Sequence, residues 1–291
     1  MSELNNGRIE VALNLSMGQP MEQQNLKCMD VWGGNQATFS SFGKAGLDIW
    51  LYSRPFGQHA NGGDVYYLSS CASGRITRML LADVAGHGEA VAQVASDLRR
   101  VMRRYINRIR PRKMFEEVNA DFARTPIGDR FATSIVHSYF SPTSTLSICN
   151  AGHPAPLLLK TGTRDWESLE VESHSGDMPL GIAETGKYSQ LDVKVQTGDL
   201  VLCYTDGVIE SLDLGGRPLG LSGLRRILGD MPVDQPEGIL PALVEQITAS
   251  NGGSLHEDDV TILLYRITNR PVPIRDSFAA PFRWIKSLCG R

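Results

Sequence analysis

Four short stretches of this sequence place an acidic residue at the edge of an apolar run. They are Gly62-Gly63-Asp64, Asp83-Val84-Ala85-Gly86-His87-Gly88, Thr205-Asp206-Gly207 and Glu257-Asp258-Asp259-Val260-Thr261. Asp83 follows MLLA and Asp206 follows LVLCYT, whereas Asp64 and the Asp258-Asp259 pair open apolar runs. A carboxylate beside a buried strand is costly unless it is paired, hydrogen-bonded or bound to a metal. Several carboxylates in one place repel and raise each other's pKa. A hard divalent cation removes that repulsion, and a donor set of oxygens favours Mg²⁺ or Mn²⁺ over zinc. The glycines beside Asp64 and Asp83 let backbone and ligand approach closely. Taken singly, Asp-Gly and Gly-Gly-Asp are ordinary turn signals. Their joint occurrence at strand ends points to a site.

The elements that would carry these residues follow from periodicity. GLDIWLYSRP from Gly46 reads as a strand. DVYYLSSC and RITRMLLADV read as a hairpin around Ala72-Ser73-Gly74, and FATSIVHSYF and TLSICNAG as another around Ser141-Pro142-Thr143-Ser144. Val91, Val94, Ala95, Leu98, Val101, Met102, Tyr105 and Ile109 form one apolar helical stripe. A second helix runs from Met114 to Ala123 and stops before Pro126. PAPLLLK, YSQLDVKV and GDLVLCYTDG read as further strands, Glu237 to Thr248 as a helix, and DDVTILLYRI as a last strand. Strands in hairpins and helices in groups argue for an α+β fold with antiparallel sheets, against a doubly wound parallel one.

Composition narrows the function. The 291 residues allow one large domain or two small ones. A net charge of −3 excludes a chain built to coat nucleic acid. No apolar run approaches a membrane span, and the N-terminus does not read as a signal peptide, so a cytoplasmic protein is expected. Cys28, Cys71, Cys149, Cys203 and Cys289 are scattered and contain no CxxC pair, which suits free thiols in a reducing compartment. No Gly-x-Ser-x-Gly elbow is present, and no cysteine has a nucleophile-like setting.

The ordered set GGD, DVAGHG, FATSIV, NAGHPAPL, PLGI, LVLCYTDGVIE and DDVT resembles the sporulation and stress-response branch of the bacterial metal-dependent protein phosphatases, the PPM or type 2C family. The resemblance runs from about Gly46 to about Arg266. It implies a four-layer α-β-β-α sandwich of two antiparallel sheets flanked by helices. It implies two Mn²⁺ or Mg²⁺ ions at one edge and hydrolysis of phosphoserine or phosphothreonine by an activated water. Asp83 then corresponds to the carboxylate bridging both metals and Val84 to a backbone carbonyl ligand. Asp64, Asp206 and Asp258 correspond to the remaining metal ligands, with Asp259 the alternative to Asp258. The expected partner is a phosphorylated protein, such as an antagonist of an anti-sigma factor.

The organisation expected is an N-terminal extension over 1–40, packed on the domain, a catalytic domain over 41–268, and an amphipathic tail over 269–291. With no sensor module ahead of the domain, regulation is expected from other chains or from the short ends. His87 is the candidate catalytic acid. Ala85 and Gly86 set it farther from Val84 than in family members whose histidine follows more closely, and a turn histidine is the competing reading. His153 reads as a hydrogen-bonded structural histidine or part of the site floor, and Arg54 as a phosphate contact or a surface arginine. The basic run Asp97 to Lys113 reads as a solvated helix face or a dock for an acidic partner. Phe282, Trp284, Ile285 and Leu288 give the tail an apolar side that packs on the domain or meets a membrane surface or partner. Two alternatives remain open: a catalytically weak scaffold that binds a phosphoprotein, and a hydrolase of small phosphates.

Overall fold

The computed structural model describes residues 22–24, 26–27, 30–57, 59–86, 89–108, 110–125, 131–170, 177–250 and 258–272. The strands are β1 (Glu22–Gln24), β2 (Val31–Gly34), β3 (Thr38–Lys44), β4 (Leu47–Arg54), β5 (Val65–Cys71), β6 (Ile76–Val84), β7 (Ala132–Phe140), β8 (Thr145–Ala151), β9 (Leu157–Leu159), β10 (Trp166–Ser168), β11 (Gln190–Lys194), β12 (Leu200–Tyr204) and β13 (Val260–Ile267). The helices are α1 (Glu89–Tyr105), α2 (Pro111–Ala123), α3 (Asp206–Glu210), α4 (Gly220–Gly229) and α5 (Ile239–Ser250).

The strands form two sheets, in the order β1-β3-β4-β13-β12-β9-β10 and the order β11-β8-β7-β6-β5-β2. Alternation with period two assigns each strand two apolar faces. In β4, Ile49 and Leu51 point between the sheets while Trp50 and Tyr52 point outward. In β6, Met79 and Leu81 point inward while Leu80, Ala82 and Val84 point outward. The outer face of the first sheet packs against α4 and α5 through Leu224, Ile227, Leu240 and Leu243. The outer face of the second packs against α1 and α2 through Val94, Leu98, Phe115 and Phe122. Four layers result, because each sheet has two apolar faces to bury. This is the expected α-β-β-α sandwich.

The expected hairpins are present. β5 and β6 pair from Val65↔Ala82 to Cys71↔Ile76, and the intervening Ala72, Ser73 and Gly74 all have positive φ. β7 and β8 pair from Ile135↔Asn150 to Phe140↔Thr145. Three readings need correction. The expected start of the domain at 41 falls inside β3, which pairs with β4 along its whole length, while β2 pairs with β5. Residues 22–40 thus contribute strands to both sheets, with a serine- and glycine-rich pattern too weak to read alone. The sheets are also not wholly antiparallel, since β1 runs parallel to β3. The third concerns helices: α3 and α4 had no reading, and the helix expected to start at Glu237 starts at Ile239, after a 3₁₀ turn over Pro236–Gly238. Residues 1–21 and 273–291, with the tail's aromatic residues, lie outside the described residues.

One polar group crosses the inter-sheet core. His137 of β7 is 1% exposed, and its Nδ1 lies 2.6 Å from the Tyr265 hydroxyl of β13, with the Cys203 Sγ at 3.5 Å. Burial pushes its pKa down to about 3, with His153 adding a smaller push the same way. The unfolded chain's histidine takes up a proton near pH 6.5, whereas the folded one resists. Stability from this group is therefore present above about pH 6.5 and is lost as pH falls toward the folded value, by about 2 kcal/mol at pH 5. His137→Gln should lose less stability than the parent protein between pH 7 and 5 in urea titrations. Equal losses would contradict a neutral buried imidazole.

Candidate metal centre

The four acidic stretches meet at one edge of the sandwich, two from each sheet. Asp64 immediately precedes β5, and Asp83 lies near the end of β6, opposite Thr133 of β7. Asp206 is the first residue of α3, two positions past β12, and Asp258 stands two positions before β13. Neighbouring antiparallel pairs (β5 with β6, β12 with β13) explain the meeting: the chain enters one strand where it leaves the other. A cavity of about 230 Å³ opens there, walled by Asp83, Ala85, Gly86, Phe131, Thr133, Asp206 and Asp258.

Asp64 is not on that wall. It is 3% exposed, and its Oδ2 accepts a hydrogen bond of 2.8 Å from the Thr205 hydroxyl, while its Oδ1 is buried with no hydrogen-bond partner. Burial raises its pKa well above the usual carboxylate range, and the charges of Asp83 and Asp259 add to this. Thr205 is fixed in turn by β13, whose Thr261 N–H donates to the Thr205 hydroxyl at 2.9 Å. The residue that follows β12 and a β13 residue thus orient an acid of the other sheet.

The structure separates Asp258 from Asp259. The Asp259 carboxylate is buried and accepts backbone N–H bonds from Phe56 at 2.5 Å and Gly63 at 2.6 Å. It ties the end of β4 and the Gly-Gly-Asp turn to the start of β13. Asp258 faces the cavity, half-buried, its Oδ1 accepting the Asp259 N–H at 2.8 Å. Burial pushes Asp258 up to about 6 against that hydrogen bond, with Asp206 and Asp259 adding to the push. Asp83 is pushed up to about 8, first by burial and then by Asp206, Asp258, Asp259 and Glu210. Asp206 is raised by burial, partly offset by backbone N–H groups of its own helix start.

Packing sets the turn that carries Asp64. A methyl group built on Gly63 would meet Val91 Cγ1 of α1 at 2.8 Å, and both Asp259 Oδ2 and the Val84 carbonyl oxygen at 3.2 Å. The Val84 N–H donates to the Gly63 carbonyl at 3.4 Å, so the Val84 backbone lies against this turn. The donors present are all oxygens, and Asp64 Oδ1 is a buried, unpartnered acceptor among like charges. That chemistry fits a hard divalent cation. Among the described residues, no three acidic, histidine or cysteine side chains stand close enough together to hold one ion as they are.

His87 lies outside the described residues. His153 is buried behind the cavity rather than on its wall. Its Nδ1 lies 2.9 Å from the hydroxyl of Thr133, and Asn150 brackets its backbone N–H at 2.8 Å and carbonyl at 2.9 Å. Burial pushes its pKa down to about 3. Arg54 ends β4 opposite Val260, off the cavity wall. Sequence reasoning missed Thr205 and Thr261, whose only signal is their adjacency to the acidic pairs, and the clamping role of Asp259.

Fold and edge together define a four-layer sandwich with an acidic cavity at one edge. Residues 73–268 match the family described as Stage II sporulation protein E (SpoIIE), more than half of the 291 residues, and the chain belongs to that family. It is 22% identical over 221 residues to the phosphoserine phosphatase RsbU of Bacillus subtilis (strain 168), covering 76% of this chain and 63% of that protein. The chain thus spans less than two thirds of that relative's length. It is 26% identical to the crystal structure of the RsbU and RsbW domains of a Mycobacterium tuberculosis protein, at a TM-score of 0.65, covering 78% of this chain and 63% of that one. It shares its fold with the SiaA-PP2C domain of Pseudomonas aeruginosa, at a TM-score of 0.65 and 18% identity, covering 75% of this chain and 85% of that one.

The close approach at Gly63 has a measurable consequence. Gly63→Ala should cost about 1–3 kcal/mol, the usual range for overpacking, read as a lowered urea midpoint with an unchanged slope. A midpoint equal to the parent's would show that the turn is not wedged between α1 and Asp259.

Proposed function

We propose that this chain is a metal-dependent protein serine/threonine phosphatase that hydrolyses phosphoserine or phosphothreonine through an activated water. The observation that carries this reading is the meeting of Asp83, Asp206 and Asp258 on one cavity, with Asp64 buried beside them, in a member of the SpoIIE family. Asp64, Asp83, Asp206, Asp258 and the Val84 carbonyl would hold two Mn²⁺ or Mg²⁺ ions. When bound, such ions neutralise phosphate oxygens and make a water acidic at neutral pH. The protein's own residues do the positioning. Thr205 fixes the direction of Asp64, Asp259 locks the turn that carries it, and Phe131 and Thr133 line the substrate's approach.

Likeness to the phosphoserine phosphatase RsbU, and to a structure that joins an RsbU domain to an RsbW domain, supports a role in partner-switching signalling. The substrate in this reading is a phosphorylated antagonist of an anti-sigma factor, met in the cytoplasm. Among the described residues no helix is long and apolar enough to cross a membrane.

Turnover of a phosphoserine peptide and of p-nitrophenyl phosphate tests the reading. Both activities should require Mn²⁺ or Mg²⁺, vanish in EDTA and return poorly with zinc. Asp83→Asn and Asp258→Asn should each lose at least about 100-fold in turnover while remaining folded, because a cation loses an anionic donor. Full activity after exhaustive chelation would overturn the assignment.

His87 is assigned the role of an auxiliary proton donor. His87→Ala should cost at most about 100-fold on the peptide, the low end for a general acid, and less on p-nitrophenyl phosphate, whose leaving group needs no proton. If His87→Ala is as inactive as Asp83→Asn on the peptide yet active on the ester, His87 is the principal acid.

A further inference from the structure

α1 and Tyr67 on the outer face of the second sheet flank a second, open hollow of about 370 Å³. It is walled by Tyr67, Ser96, Arg99, Arg100, Arg103 and Arg104. The arginines lie ten to fifteen residues into α1, on the order of 15–20 Å along the helix from the acidic edge. Every cation on the wall is an arginine, the side chain whose planar fork matches oxyanions in two-point contacts. Arg99 and Arg103, like Arg100 and Arg104, are like charges four residues apart, a spacing that destabilises a helix. Acidic partners offset only half of this charge. Arg100 pairs with Asp97 at 2.7 Å and Arg104 with Asp121 at 2.8 Å. Arg99 donates to the neutral amide oxygen of Asn35 at 2.7 Å, and Arg103 has no acidic partner among the described residues. In a chain of net charge −3, two guanidinium groups without acidic partners among the described residues share one concave surface, an arrangement that favours an anion.

We propose that this cavity binds a compact, doubly charged phosphate group on Arg99 and Arg103. Its occupancy also reaches the acidic edge. Asn35 is 1% exposed, and its Nδ2 donates to the Gly62 carbonyl at 3.0 Å while its backbone carbonyl accepts the Gly62 N–H at 2.8 Å. The next residue, Gly63, is bonded to Asp259, and Asp64 follows. A phosphate that draws Arg99 away from Asn35 therefore loosens the turn carrying Asp64, and by linkage any ligand of the acidic edge acts back on the phosphate. The binding site stands whether or not the acidic edge hydrolyses phosphoesters.

The full chain in EDTA separates the two sites, because without cations the acidic edge repels anions. Calorimetric titration with inorganic pyrophosphate, a phosphoserine peptide and hexaglutamate identifies the ligand. One site is expected for the phosphates, weakening as salt rises. Arg103→Glu should weaken it at least tenfold, whereas Arg110→Glu, an exposed reversal outside the cavity, should leave it unchanged. Tighter pyrophosphate binding makes the source a free phosphate; tighter peptide binding makes it a phosphorylated protein. Absence of binding, equal binding by Arg103→Glu, or hexaglutamate binding as tightly as either phosphate would overturn the site. For the coupling, pyrophosphate should move the Gly62 and Gly63 amide resonances, and Asn35→Ala should abolish those shifts while binding persists. Unmoved resonances in the saturated parent protein would overturn the coupling.

Discussion

Repulsion among carboxylates gathered in a poorly hydrated corner is the constraint around which this structure is arranged. Asp64, Asp83, Asp206 and Asp258 come from both sheets; burial pushes all four toward the protonated form, and neighbouring carboxylates add to this for Asp64, Asp83 and Asp258. A fold gains nothing in stability from such an arrangement. Each acid could be replaced by an apolar or amide side chain of similar volume at a gain, as is common for buried charges. The surrounding structure holds them against that cost.

It does so through backbone and hydroxyl groups rather than through counter-ions. Two N–H groups anchor Asp259, and that anchor joins β4, the Gly-Gly-Asp turn and β13 into one unit. Thr205 and Thr261 bridge β12 and β13 and reach across the sandwich to Asp64. None of these groups carries a positive charge, so the negative potential of the edge survives intact for a cation. Arg99, Arg100, Arg103 and Arg104 stand apart from it, along α1. The acidic edge and the arginine-lined hollow are linked by the Asn35–Gly62 hydrogen bonds and the Arg99–Asn35 hydrogen bond.

Much of this was legible in the sequence because the architecture is periodic. Alternation in β4 to β8 and the stripe of α1 gave the sheets, hairpins and helix faces directly. The acids were legible because an aspartate at the edge of an apolar run conflicts with burial unless something offsets it. What escaped had no such conflict. β2 and β3 carry Gly33-Gly34 and Ser40-Ser41, short polar residues that match a loop as well as an edge strand. α4 begins with Gly220-Leu221-Ser222-Gly223, whose two glycines are poor helix formers, and is held by packing of Leu224 and Ile227. The choice between Asp258 and Asp259 depends on which carboxylate meets the Phe56 and Gly63 N–H groups, a long-range contact invisible to local pattern.

Unfolding free energies of the parent protein and Asp83→Asn, each measured in EDTA and in saturating Mn²⁺, test the central claim most directly. In EDTA the variant should be the more stable of the two, because a neutral amide avoids the cost of burying a carboxyl that must either hold a charge or take up a proton. In Mn²⁺ the order should reverse, because the parent gains from a cation that the variant holds poorly. A parent protein that is already the more stable in EDTA and gains nothing from Mn²⁺ would contradict the account: the acidic edge would then be a structural network, not a site strained for metal.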